Sequence, residues 1–251
     1  MRAERIRAGG LSRLWTVMMP AAVVLPTVIT LGIAGVAESF ARIPGQISVL
    51  QVSTSNAGYW VITIAVVVTA VAAADGQGSE KRYCAAEHVR LSVPRTWPVL
   101  LGRWIFYGVV GMAVAVATLV VVLAALPVVS PHVYGAVSAT DAVAIRLVWT
   151  LAVLTFFAAG AGTGIGALVE SPLAAAGLIL LWVYAFESAA GYLPSGAWLQ
   201  RFMPMMNAVY ATGQDAILVP PWNENTALIY VCALFSVIFL IATIERTFRH
   251  G

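Results

Sequence analysis

A chain of 251 residues that is 61% apolar and only 10% charged departs from ordinary soluble domains, which run at roughly 45–50% and about 25%. Abundant Val, Leu, Ile and aromatic residues exclude disordered and collagen-like chains, and a cysteine count of 2 excludes a disulfide scaffold. What fits is an all-α polytopic membrane protein: about six spans of ~20 residues in a single membrane domain covering residues 1–251, with no sizeable soluble one.

Long apolar runs at residues 16–36, 59–74, 104–126, 142–169, 173–193 and 226–244 predict six membrane helices. Before the first, Arg2, Arg5, Arg7 and Arg13 are interspersed with Ile6, Leu14 and Trp15, a pattern that suits a helix lying in the membrane surface. Pro20 and Pro26 remove backbone donors from the first run and can kink it. After the second run, residues 75–103 form the most polar part of the chain. There Ser79 is the expected N-cap of a short helix over 79–93, Glu80 suits its positive end and Pro94 stops it.

The fourth run contains Gly160, Gly162, Gly164 and Gly166, whose four-residue spacings make a surface that another helix can approach closely. Glu170-Ser171-Pro172 then predicts a tight turn, with a hydroxyl cap and a proline opening the fifth helix. From Ser195 to Leu218 a semi-apolar external segment carrying Met203, Met205 and Met206 precedes the sixth run.

The scarce charges set the orientation. With the two ends and every second loop taken as one side, that side holds Arg2, Arg5, Arg7, Arg13, Lys81, Arg82, Arg90, Arg95, Arg103, Arg246 and Arg249. The other holds only Arg42, Arg146 and Arg201, so the positive-inside rule predicts both termini in the cytoplasm. The same argument makes the net charge of +3 a signal of orientation and not of nucleic-acid binding. Arg146 and Glu187 each lie within two turns of the outer end of a span. Such residues are expensive in a bilayer, and these two are expected either to meet as an ion pair or to line an exit path.

Several chemistries are missing from the sequence. It contains no G-x-x-x-x-G-K-[ST] phosphate loop, no G-x-S-x-G and no H-E-x-x-H, so the chain is read as non-enzymatic, without an ATPase of its own. His88, His132 and His250 have no Cys or carboxylate at ligand spacing, so neither a metal nor a cofactor is expected on this chain.

The loop after the second span carries Glu80, then Leu91-Ser92-Val93-Pro94-Arg95, then Leu100-Leu101-Gly102-Arg103 leading into the third span. In this order the chain resembles the type-2 family of ATP-binding-cassette (ABC) export permeases. The basic stretch from Arg2 to Trp15, the short turn at Glu170-Ser171-Pro172 and the external segment before the last span are similar to that family's interfacial helix, fourth turn and re-entrant hairpin.

The resemblance implies a permease subunit that exports an amphipathic drug, lipid or similar small molecule. A second permease chain, identical or homologous, would complete the pathway, and a separate cytoplasmic ATPase would hold ATP and magnesium. Glu80, Arg82, Glu87, Arg90 and Arg95 would then belong to a coupling helix seated on that ATPase. A bacterial plasma membrane is the expected location, since a composition rich in Arg, Ala, Val and Gly, with Lys81 the single lysine, suits a GC-rich coding sequence. Two other classes remain open at this level: a secondary carrier or channel, and a non-transporting membrane scaffold.

Overall fold

Helices that are apolar on every side are stable only among lipids or other helices, and the chain is built almost entirely from such elements. The computed structural model describes residues 12–43, 51–82, 96–169, 171–215 and 218–250. Its helices, in chain order, are α1 (Leu14–Ala41), α2 (Tyr59–Arg82), α3 (Thr96–Val129), α4 (Pro131–Tyr134), α5 (Ala142–Leu168), α6 (Pro172–Ala190), α7 (Gly196–Gln200), α8 (Pro204–Ala211) and α9 (Glu224–His250). Six of them, α1, α2, α3, α5, α6 and α9, are long and apolar enough to cross a membrane, and no strand occurs among the described residues. The protein is an all-α, multi-pass membrane protein.

The bundle is organised around α5, which packs against α2, α3 and α9. Leu147, Leu151 and Leu154 of α5 are fully buried. The apolar stretch of α2 is 78% buried and that of α6 only 22%, which makes α2 an inner helix and α6 an outer one. Pro20 explains the start of α1. Its ring clashes with the carbonyl four residues earlier, and the chain answers with a wide π-turn over Leu14–Met18 before the regular helix Met19–Ala41. At the start of α6, Ser171 accepts a hydrogen bond from the Ala174 amide at 3.4 Å and Pro172 follows as the first helical residue.

Side-chain contacts tie the helix ends into two opposed layers. In one layer, Thr54 donates to Asp141 at 2.9 Å, Asp141 caps α5 through the Ala144 amide at 2.7 Å, and Asn56 donates to Asp215 at 2.9 Å. Glu38, buried near the end of α1, accepts from the His132 amide at 3.0 Å, contacts His132 Nδ1 at 2.5 Å and pairs with Arg42 at 3.1 Å. In the opposite layer, Arg13 lies 3.7 Å from Asp75, Arg103 bonds Gln77, and Arg246 donates to the Ala167 carbonyl at 2.9 Å. This second layer is the one that the positive-inside rule predicts to face the cytoplasm.

Three expectations are corrected here. Ser79 does not cap a new helix, because α2 runs without a break to Arg82. Its glycines serve close packing: a Cβ on Gly76 would lie 2.1 Å from the Tyr107 hydroxyl, and one on Gly78 2.4 Å from the Pro172 ring. The third span begins at Thr96 and not at residue 104, so Arg103 lies inside α3, fully buried, and not in a loop. Leu14 does not face lipid. It is 5% exposed and packs with Ala73, Phe106, Tyr107 and Ala159, while Trp15 beside it is 46% exposed.

Candidate functional site

Over α2 and α5, on the side of the outer helix α6, lies a partly open apolar cavity of about 460 Å³ bordered by α2, α5, α6, α8 and α9. Val67 and Ala70 contribute from α2, Ala158 and Ala161 from α5, Trp182 from α6 and Phe235 from α9. Among the described residues, Glu187 is the one ionisable side chain on this lining.

Local backbone geometry accounts for the position of that carboxylate. α6 is regular over Pro172–Leu180, widens into a π-turn over Leu181–Phe186 and returns to an α-helix at Glu187. The wide turn adds a residue to the helical repeat and turns the side chains that follow it. Glu187 is thereby 7% exposed on an otherwise largely exposed helix. Its two oxygens lie 2.9 and 3.2 Å from the Met205 amide, in the first turn of α8. A carboxylate at this position satisfies an orphan helix donor and suits the positive end of the helix dipole.

The hairpin formed by α7 and α8 stands on an aromatic row. Ring centroids of Trp198 and Phe202 are 4.8 Å apart, Phe202 and Trp222 5.5 Å, and Trp222 and Tyr230 5.0 Å. The Tyr230 hydroxyl donates to the Phe202 carbonyl at 2.8 Å, and buried Asn207 accepts from the Trp222 indole at 2.8 Å. Asn207 also donates to the carbonyls of Arg201 and Met203, both at 2.9 Å, which closes the bend between the two helices. Among the three methionines, Met203 sits at the start of α8 and Met205 borders the cavity.

Arg146 and Glu187 do not form the expected pair. Arg146 Nε lies 2.8 Å from Glu224 Oε2, and its Nη2 donates to Asn225 and to the Ala211 carbonyl, both at 3.0 Å. The Nε contact is one of charge more than of a directed hydrogen bond, since the N–H makes no bond of proper geometry. Glu224 opens α9, so the arginine holds the outer end of α5 against the starts of α9 and the hairpin exit. Sequence reasoning had no means of ranking Glu224 above Glu187 as the partner, because both lie near the outer boundary.

Of the coupling residues, Glu87, Arg90 and Arg95 lie outside the described residues, while Glu80 and Arg82 lie on the last turn of α2. The glycines of α5 divide between faces. A Cβ on Gly162 would lie 2.0 Å from the Ala70 carbonyl oxygen and one on Gly166 2.6 Å from that of Ala74, so this pair seats α5 on the backbone of α2. The same atom on Gly160 would meet Trp104 at 2.6 Å, and on Gly164 the backbone of α9 at 3.0 Å. Buried Arg103 with Gln77, and Glu38 with His132, went unnoticed in the sequence. Gln77 stands between Gly76 and Gly78 in a stretch that also holds Asp75, Glu80, Lys81 and Arg82, so its polarity alone did not mark it out.

Comparison with known proteins found no matching family model, no matching characterised protein and no matching solved structure.

Proposed function

We propose that this chain is the membrane subunit of an ABC-type exporter, moving an amphipathic small molecule outward with energy from ATP hydrolysed on a separate subunit. The observation that carries the reading is the helical hairpin α7–α8. It lies between the fifth and sixth spans, where the resemblance expects such an element, and packs on α9 and on inner helix α2. The cavity beside it is apolar and within the 300–1,000 Å³ range typical of small-molecule sites, which supports a small amphipathic cargo. ATP and magnesium belong to the partner, since the sequence has no phosphate loop. The loop from the end of α2 to the start of α3, with Glu80, Arg82, Glu87, Arg90 and Arg95, faces that partner.

The test is ATP-dependent uptake of a panel of fluorescent amphipathic dyes into inverted membrane vesicles. The expected result is vanadate-sensitive uptake that requires the chain. Glu87→Ala with Arg90→Ala should lower that uptake about tenfold with the chain still at its normal membrane level. Chain-dependent uptake insensitive to vanadate would point to a secondary carrier, and no chain-dependent uptake of any dye would point to a scaffold. Full activity in the double variant would remove the coupling role from these residues.

A further inference from the structure

Among the described residues, the cavity on α2, α5, α6, α8 and α9 is walled by apolar atoms alone. Glu187 borders it, but its oxygens are engaged by the Met205 and Met206 amides and the Trp182 indole, so its charge serves to seat α8 and does not face the open space. A ligand with a charge or a hydrogen-bonding group would lose its water there and find no partner in return. The lining therefore selects a neutral, apolar guest.

Depth and direction say where that guest comes from. Val66, Ala158, Trp182 and Phe235 all border the cavity and all fall near the middle of their spans. Ala158 and Ala161, 1% and 4% exposed, form its floor on α5, while Leu178 and Trp182, each 45% exposed, stand at its rim on α6. The opening thus lies beside the least buried of the six long helices, at a depth where the surroundings are hydrocarbon and not water. Pro204 and Met205 of α8 close the end nearer the hairpin, which leaves entry from the side.

We propose that the cavity binds a hydrocarbon chain of a membrane lipid, taken in sideways past α6. From Leu178 to Glu187 the lining follows α6 for roughly 13 Å at the helical rise, parallel to the spans, as lipid chains themselves run. Such chains are also the neutral apolar groups present at highest concentration at the opening, so they fill it by mass action. The headgroup stays outside, at the membrane surface. The inference deepens the exporter reading and rests on it only in making that lipid the cargo; binding itself is tested without transport.

The full chain is reconstituted in phosphatidylcholine vesicles holding a trace of phosphatidylcholine with an aryl diazirine at the end of one acyl chain, then irradiated and mapped by peptide mass spectrometry. Labelling is expected at Val66, Ala70, Ala158 or Ala161, which are buried from the lipid around the bundle. The same lipid with the diazirine on its headgroup should label these positions about tenfold less. Ala161→Phe fills the floor and should lower chain-end labelling of Ala70 and Ala158 about tenfold, with labelling of outward Leu173 and Ile229 unchanged.

Chain-end labelling confined to outward residues such as Leu173 and Ile229 would overturn the proposal. So would equal floor labelling by the headgroup probe, or floor labelling undiminished in Ala161→Phe. A free, uncharged aryl diazirine that labels the floor where the lipid probe does not would assign the cavity to a free apolar molecule and overturn the lipid chain as its occupant. Should the variant fail to fold, the pattern from the two lipid probes on the unmodified chain still decides. Failure of the exporter reading would show as missing ATP-driven uptake with the floor labelling intact.

Discussion

Arg103 is the largest fully buried side chain of the described residues, and it hydrogen-bonds Gln77 across the interface between α2 and α3. Removing it as Arg103→Ala leaves the Gln77 amide buried beside a void, a loss of about 3 kcal/mol. Thermal unfolding in detergent should show this as a lower midpoint, with Arg103→Lys intermediate because a lysine is a point charge without the guanidinium fork. Glu187 separates two roles in the same way. Glu187→Ala should cost about 1–2 kcal/mol through the uncapped first turn of α8, and Glu187→Gln should recover most of it. Amide exchange at Met205 reads the capping contact directly, and unchanged protection there in Glu187→Ala would show that the cap contributes nothing. Both residues were legible in the sequence only as rare charges. Arg103 was assigned to a loop because apolar runs end where charges begin. Its partner is 26 positions away on a neighbouring helix, a distance that hydropathy does not measure.

At the scale of the element, two glycines in membrane helices make opposite predictions. A methyl group at Gly162 would press on the Ala70 carbonyl, and Gly162→Ala should cost about 2–3 kcal/mol by forcing α5 off α2. At Gly177 on α6 a Cβ meets nothing within 4 Å, so Gly177→Ala should be neutral or stabilising by up to about 1 kcal/mol. Unfolding midpoints of the two variants, measured side by side, check both. The four-residue spacing that marks Gly162 and Gly166 as a packing surface was visible in the sequence, because spacing on a helix fixes which residues share a face. Which helix would be seated there was not. The partner backbone comes from Ala70 and Ala74, themselves four apart on α2. The π-turns of α1 and α6 were also beyond sequence reading, although Pro20 supplies a local cause for the first.

For the whole molecule, sidedness and the outer clasp can each be measured. In a chain whose own cysteines are replaced, Trp198→Cys in the exposed hairpin should react with an impermeant maleimide added to intact cells, and Phe248→Cys near the end of α9 only in inverted vesicles. Reaction of both from the same side would overturn the six-span topology. The contact between Arg146 and Glu224 is partly open, with side chains 24% and 42% exposed, so a double-mutant cycle with glutamine at each should give only about 0.5 kcal/mol, reduced further by salt. The same cycle on Arg146 and Glu187 should give no coupling.

Helix class and the number of spans followed from the sequence alone, since these depend on run length and apolar content, properties of consecutive positions, and the sorting of a few basic residues adds the orientation that the labelling experiment tests. Partner choice did not. Which acid holds Arg146, which helix lies on the glycines of α5, and that Glu187 borders an apolar cavity while capping α8 depend on the rotation and depth of each helix in the bundle. Those are decided by the packing of many side chains at once, because within lipid every apolar face is equally content and only close fit and satisfied polar groups distinguish one arrangement from another.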